Sequence, residues 1–322
     1  PDGSSYMGQN DPGEKAAQRV AEALQKTGAQ RSHLGDVLKA FSAMRIEQAR
    51  WKAELTTPLD CEDIAAPDPE RFGKGIPLAG RERLCRLGDL WRTAVERLIP
   101  PVKEGFPTIS GQIEKLQAAI LDGSFLPDML LAAALGGRNQ VAQEMAADVD
   151  MDAELIGFIL TELARPVVEK RAELLQPLIN DLTWNKGYCP VCGSLPALSL
   201  LREKEGRRWL RCDFCAHTWR FHRTTCPFCD TQDVRDSEFF FIEGCQQERV
   251  EVCHKCKRYI TAVDLRTFAD EVVLEVADIA LMHLDAIAQE KGFQPMKGSG
   301  WQGTDQTSSV TDANPETVST DA

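Results

Sequence analysis

The chain has 322 residues with 49 acidic and 37 basic side chains, a formal charge of −12; this surface repels a phosphate backbone, so nucleic acid is not expected as a partner of the whole molecule. The length favours about two domains with real cores. The longest strongly apolar run, 129–135, falls far short of the roughly 18 to 20 residues that span a bilayer, so no membrane insertion is expected.

Residues 1–13 show neither the basic start nor the apolar stretch of a signal peptide and are expected to be disordered. From Glu14 to about Trp184 the pattern is helical throughout, an all-α domain over residues 14–184. Leu34, Leu38 and Phe41 share one face, with Met44 and Trp51 near its edge. Leu84, Leu87, Trp91, Ala94 and Leu98 repeat the spacing until Pro100 and Pro101, which are expected to stop the helix. Further helices are predicted at 109–121, 127–135, 153–164 and 166–182, the last opening on Pro166, a residue suited to a first helical position. The aromatic and Met positions read as bundle core rather than as a cofactor site. The Pro- and Gly-containing stretch 56–80 is a long connection between helices.

After Trp184 the period changes. Alternating, β-prone stretches at 195–202, 207–211, 237–243, 248–252 and 258–263, with turn residues at 203–206 and 244–247, read as two hairpins. They fall in two modules, 185–225 and 226–263. A closing amphipathic helix is predicted at 265–291, within a segment 264–293, with Val273, Val276, Ala280, Leu284 and Ile287 on one face. The tail 294–322, rich in Ser, Thr, Asp and Gly, is expected to be disordered. The fold class is multi-domain α+β: a helical N-terminal domain, two tandem rubredoxin-like or zinc-ribbon-like four-cysteine metal modules, and a closing C-terminal helix.

Eight of the eleven cysteines form four Cys-x-x-Cys pairs: Cys189/Cys192, Cys212/Cys215, Cys226/Cys229 and Cys253/Cys256. The two-residue gap lets both thiolates of a tight turn point at one ion, and two such turns complete a tetrahedral S₄ shell. A secreted disulfide framework would occupy a much shorter chain, so a reducing, cytoplasmic environment is expected. In each module the return strand runs directly into the second pair, an internal repeat. One ion is therefore assigned to Cys189, Cys192, Cys212 and Cys215, and the other to Cys226, Cys229, Cys253 and Cys256. By ligand count zinc and a single iron suit such a shell equally. Only Cys192 is followed by Gly; Asp230 is tolerable at the equivalent position, whereas Ala216 and Lys257 would carry strain.

A thioredoxin-like pair would need a helix N-terminus in a βαβ unit, and a catalytic zinc would need an open coordination position; neither setting is present. The regular two-knuckle hairpin favours a single ion over an iron–sulfur cluster. Cys61 and Cys85 read as packing residues and Cys245 as a turn residue at a hairpin tip, while His217, His222 and His254 flank the knuckles without being needed as ligands. The basic run Arg202, Lys204, Arg207, Arg208, Arg211, Arg220 and Arg223, with Trp209, Trp219 and Phe221, would suit a zinc ribbon on nucleic acid. Yet residues 189–261 hold 12 Lys and Arg against 10 Asp and Glu, and four-thiolate sites add negative charge, so an acidic protein partner fits at least as well.

The run from Tyr188 through Cys189, Cys192 and Gly193 to Pro196, then Leu210 to Cys215, Thr218 with Trp219, Cys226 to Cys229 and Val252 to Cys256, closely resembles the FdhE family of formate dehydrogenase accessory proteins. The resemblance extends over nearly the whole chain, including His33 to Asp36 followed by Phe41 and Gln48, and the closing helix. It implies a cytoplasmic, non-enzymatic assembly factor for respiratory formate dehydrogenase. Such a factor binds the catalytic subunit before export and carries rubredoxin-like iron at the eight knuckle cysteines, iron in preference to zinc. Cys245, Lys257 and the tail do not belong to the pattern, and homo-oligomerisation stays open. Two rival readings are an electron carrier acting during maturation and a zinc-ribbon nucleic-acid-binding protein.

Overall fold

The computed structural model describes residues 11–56, 59–61, 63–135, 138–268 and 271–296. Asp11 accepts a hydrogen bond from the Gly13 amide at 2.9 Å and Pro12 occupies a first-turn position, so α1 (Pro12–Gln30) begins inside the stretch expected to be disordered. Residues 1–10 lie outside the described residues. α2 (Gly35–Glu54) packs back on α1; α3 (Pro69–Gly73), α4 (Arg81–Cys85), α5 (Leu90–Gly105), α6 (Ser110–Asp122), α7 (Pro127–Leu135), α8 (Asn139–Ala147) and α9 (Ala153–Leu175) complete the helical part. α9 runs through the middle of the core, its apolar side chains buried among those of α4, α5 and α7.

Three helical expectations need correction. Leu84 and Leu98 do not share a helix: the chain breaks at Gly88, whose φ is 54°, and Asp128 satisfies the freed amides of Leu87 and Gly88 as well as the indole of Trp91. Pro100 and Pro101 do not end α5, which continues to Gly105 with Pro100 facing solvent, where water can satisfy the carbonyls that lack a donor. The helices predicted on either side of Pro166 are one helix. Proline at 166 cannot donate to the Glu162 carbonyl, and Gln48 from α2 donates to that carbonyl instead, at 2.8 Å. α8 was not predicted: it buries small residues, Ala142 against Ala133 and Ala134, and so leaves a faint apolar stripe.

The connection 56–80 is anchored, with Leu59, Cys61, Ile64 and Phe72 buried. Arg171 of α9, only 1% exposed, donates to the carbonyls of Leu59, Leu84 and Arg86. At these points the irregular backbone of the helical part holds polar groups whose partners lie far along the chain, whereas the other interhelical turns are closed by local hydrogen bonds.

The strands are β1 (Pro196–Arg202), β2 (Arg207–Cys212), β3 (Thr218–Arg220), β4 (Ser237–Phe241), β5 (Glu248–Cys253), β6 (Arg258–Asp264) and β7 (Gln294–Pro295). Both expected hairpins form, β1 with β2 and β4 with β5. They are not separate: parallel pairing of β1 with β6, Leu198 opposite Thr261 through Leu201 opposite Asp264, joins both modules in one sheet of order β3-β2-β1-β6-β5-β4. Each module reads knuckle, strand, strand, knuckle, strand, and the two associate head to tail. Arg208 on β2 reaches Glu251 on β5 at 2.8 Å and also donates to Ser199, so a buried ion pair crosses the junction.

One face of the sheet, Leu198, Leu200, Val250, Val252, Tyr259 and Val263, packs on the C-terminal helices. These are two, α10 (Leu274–Ala280) and α11 (Met282–Glu290), where a single helix was expected. The break follows from their burial: Ala277, Leu281, Leu284 and Ala288 face the sheet, whereas Val276 and Ile279 turn to Val20, Leu24 and Leu38 of α1 and α2. The tail expected to be disordered starts as β7, and Met296, 3% exposed, donates to the Tyr259 carbonyl at 2.9 Å. Its remainder lies outside the described residues.

Candidate metal centre

The four knuckles share one backbone design. Cys189, Cys212 and Cys226 each donate their amide to a carbonyl five residues on, in Ser194, His217 and Thr231, at 2.8–2.9 Å, and Cys253 pairs with Arg258 across β5 and β6. The residue after each second cysteine turns left-handed: φ is 79° at Gly193, 56° at Ala216, 55° at Asp230 and 57° at Lys257. That conformation costs an L-residue about 1–2 kcal/mol. Ala216→Gly and Lys257→Gly are therefore expected to stabilise the metal-loaded protein by roughly 0.5–1 kcal/mol each, after the entropy that glycine gains in the unfolded chain. Gly193→Ala is expected to do the reverse. Denaturant midpoints of the three variants check this, and a destabilised Ala216→Gly would contradict it.

These turns gather the sulfurs in two groups, Cys189, Cys192, Cys212 and Cys215 in one and Cys226, Cys229, Cys253 and Cys256 in the other, with all four Sγ of a group within 4.8 Å of one another. Across the paired knuckles the separations include Cys189–Cys215 at 3.6 Å, Cys192–Cys212 at 3.4 Å, Cys226–Cys256 at 3.8 Å and Cys229–Cys253 at 3.7 Å. A disulfide needs ~2.05 Å, and all eleven cysteines are free. A tetrahedron with metal–sulfur bonds of ~2.3 Å has an edge of ~3.8 Å, so both groups have the donor set and the dimensions to hold one ion each. Zinc and iron fit alike.

The groups differ in burial. All four sulfurs of the first are buried, whereas Cys229 and Cys256 of the second are half-exposed. In the first group, burial reinforced by neighbouring sulfurs pushes the Cys189 and Cys215 thiols far above the ordinary range; hydrogen bonds from the other thiols overcome burial at Cys192 and hold it well below. A buried set of this kind reaches full ionisation only against a cation.

Both groups join the apolar core of the helical part, the first with all four cysteines buried, the second with Cys226 and Cys253 buried and Cys229 and Cys256 packed against it. The end of the 56–80 connection donates to the knuckle backbone, Leu78 to Pro190 at 2.8 Å and Ala79 to Val191 at 2.9 Å. Trp184 donates to the Tyr188 carbonyl at 2.8 Å, Tyr188 to that of Gly75 at 2.8 Å, and Trp219 to that of Lys186 at 3.2 Å. Gly187 touches the second group: a Cβ there would stand 1.8 Å from the Pro227 carbonyl oxygen. Of these supporting residues, Tyr188 and Trp219 were named from sequence as part of the motif; Leu78, Ala79 and Gly187 were not, since their partners lie far along the chain.

His217, His222 and His254 stay outside both sulfur groups. His217 is held neutral, its pKa pushed down to about 4 by burial, and His254 bonds Glu238 at 2.8 Å. Cys61 and Cys85 are buried, and burial pushes the Cys85 thiol up to about 12, which leaves it unreactive. Cys245 is half-buried in the second hairpin's turn. Part of the basic run is consumed internally: Arg208 pairs with Glu251, Arg211 lies 3.9 Å from Asp278, Arg202 lies over the Trp209 ring, and Trp219 and Phe221 are buried. The other four, Lys204, Arg207, Arg220 and Arg223, remain exposed.

Comparison with known proteins bears on this centre directly. The family model described as FdhE, central domain, matches residues 188–223, the stretch that carries the four cysteines of the first group. A protein FdhE homolog of Aquifex aeolicus is 33% identical over 250 residues, 75% of this chain and 78% of that one. A protein FdhE homolog of an Enterobacter species is 27% identical over 280 residues, 85% and 84% of the two chains. The crystal structure of the FdhE protein from Pseudomonas aeruginosa shares the fold, with a TM-score of 0.59 at 19% identity over 93% of this chain and 98% of that one. Its helical part, its sheet with two four-cysteine groups and the extent of the Aquifex match place this chain in the FdhE family.

Proposed function

We propose that the protein is a non-enzymatic assembly factor for respiratory formate dehydrogenase that binds the enzyme's catalytic subunit in the cytoplasm, and that its eight knuckle cysteines hold two structural ions, iron in preference to zinc. The observation that carries this reading is the pair of closed four-sulfur shells. A full shell offers no open position for a substrate, so its chemistry is to fix loops. In the first module the fixed loops are the seam between sheet and helices, and the ion would hold a surface made from both.

The test is a pull-down of the catalytic subunit by the full-length protein and by Cys189→Ser, Cys212→Ser, Cys226→Ser and Cys253→Ser, with formate dehydrogenase activity of cells carrying each. Loss of capture and of activity is expected; full retention of both in all four overturns the assignment. Elemental analysis and an absorbance spectrum of protein purified without oxygen identify the metal.

The half-exposed Cys229 and Cys256 favour a second reading, in which the outer site passes one electron during maturation. A red iron–thiolate absorbance that a physiological reductant bleaches reversibly supports it, and a colourless zinc protein that still matures the enzyme excludes it.

A further inference from the structure

β4 ends the sheet. Among the described residues it pairs only with β5; the Ser237 amide is taken by the Val234 carbonyl, but the outward amides and carbonyls of Phe239 and Phe241 have no partner. Natural edge strands are blunted by charged side chains, Lys above all, by Pro or by a bulge; this one reads Ser-Glu-Phe-Phe-Phe, with Glu238 its single charge, no Lys or Pro and a regular register. Phe240 packs with the residues that meet α10 and α11, but Phe239 is 54% and Phe241 43% exposed on the opposite face, their rings stacked at 6.3 Å. Ile242 continues the apolar edge. Such side chains beside an unpaired backbone are the features by which a sheet accepts another strand: main-chain hydrogen bonds supply affinity, and alternate side chains supply selectivity.

Charge selects the occupant. Residues 230–243 contain Asp230, Asp233, Asp236, Glu238 and Glu243 against Arg235 alone; Arg235 is paired with Asp233 at 2.6 Å, and Arg249 of β5, which lies over the Phe239 ring, is paired with Glu251 at 2.7 Å. The metal shell beside them would add negative charge. A second copy of this chain would bring the same acidic cluster against itself, which costs energy, whereas a segment with basic flanks meets opposite charge at each end.

We infer that the outer edge of β4 docks an extended apolar segment with basic flanks from a partner protein, as one further strand of the sheet. The surface is defined by its own chemistry, so it stands or falls separately from the assembly role proposed above.

The probe is a fluorescein-labelled peptide of alternating valine and threonine with lysines at both ends; its counterpart carries glutamates there. With the metal-loaded full chain, the lysine-flanked peptide is expected to bind more weakly as salt rises, and to slow amide exchange in β4. The glutamate-flanked peptide is not expected to bind. Phe239→Lys with Phe241→Lys is expected to weaken binding by at least roughly tenfold, and Phe239→Ser with Phe241→Ser to weaken it without added charge. Circular dichroism and metal content report that these variants fold. Absence of binding, equal binding of both peptides, or unchanged affinity in folded double variants overturns the assignment. So does a dimer, dispersed by either double substitution, that would give this edge to a second copy.

Discussion

Cys189→Ser is expected to unfold the sheet and loosen the helical part with it, whereas Cys253→Ser should damage the second module first. A structural ion of this kind contributes on the order of 10 kcal/mol to the fold that closes round it, comparable to the whole stability of a domain, about 5–15 kcal/mol. The first shell is wholly buried and its cysteines belong to the core that includes Leu98, Leu163 and Val167. Removing a ligand there leaves unpaired polar sulfurs where two layers meet. The second shell has two half-exposed sulfurs, so a chelator should take its ion first. Metal release followed alongside circular dichroism and amide exchange should show two steps, with protection of β4 to β6 lost before that of β1, β2 and α9. A chelated, metal-free protein that retains full protection in β1 and β2 would refute this, as would a single simultaneous release.

Glu162→Ala is expected to cost about 3–5 kcal/mol, the range for breaking a buried ion pair and leaving its partner uncompensated. The Glu162 carboxylate is within 2.7 Å of Arg45, accepts from Arg165 at 2.8 and 3.0 Å, and from the Gln48 amide at 2.9 Å. Burial alone would raise its pKa, but the attraction of Arg165 and Arg45 prevails and holds the carboxyl well below the usual range. Because the folded value is depressed, the stabilisation is fully present above the unfolded value of about 4.3 and is lost as pH falls through the folded one. Stability should therefore decline progressively below about pH 5, and Glu162→Gln, which keeps the shape and loses the charge, should flatten that acid limb. Denaturant midpoints between pH 7 and pH 3 measure both effects. A Glu162→Ala variant within about 1 kcal/mol of the parent would contradict the assignment of this network to stability.

The parts of the fold that could be read from sequence are those set by neighbours along the chain. Alternation in β1, β2, β5 and β6 and the two-residue gaps of the knuckles are local, and so were the sulfur sets they suggested. What escaped depends on distant partners. Pro166 looks like a helix start until Gln48, 114 residues before Glu162, takes the orphaned Glu162 carbonyl. Arg208 and Arg211 look like a cationic surface until Glu251 and Asp278 fold against them. β3 is three residues long and β7 two, too short for any period to show. The split between α10 and α11 reflects two packing surfaces met in succession, which one apolar stripe cannot reveal.

The head-to-tail junction also has a temporal consequence. Within the first module the sulfurs to be brought together lie 26 residues apart or fewer, whereas the contact between Thr261 and Ala197 that seals β6 to β1 closes a loop of 64. Loop closure grows costlier with length, and distant pairings form late. Each hairpin should thus be able to capture its own ion on the ribosome or soon after release, as an independent nucleus, and the zipping of β1 to β6 should be the slow, last event that commits the chain to its finished form.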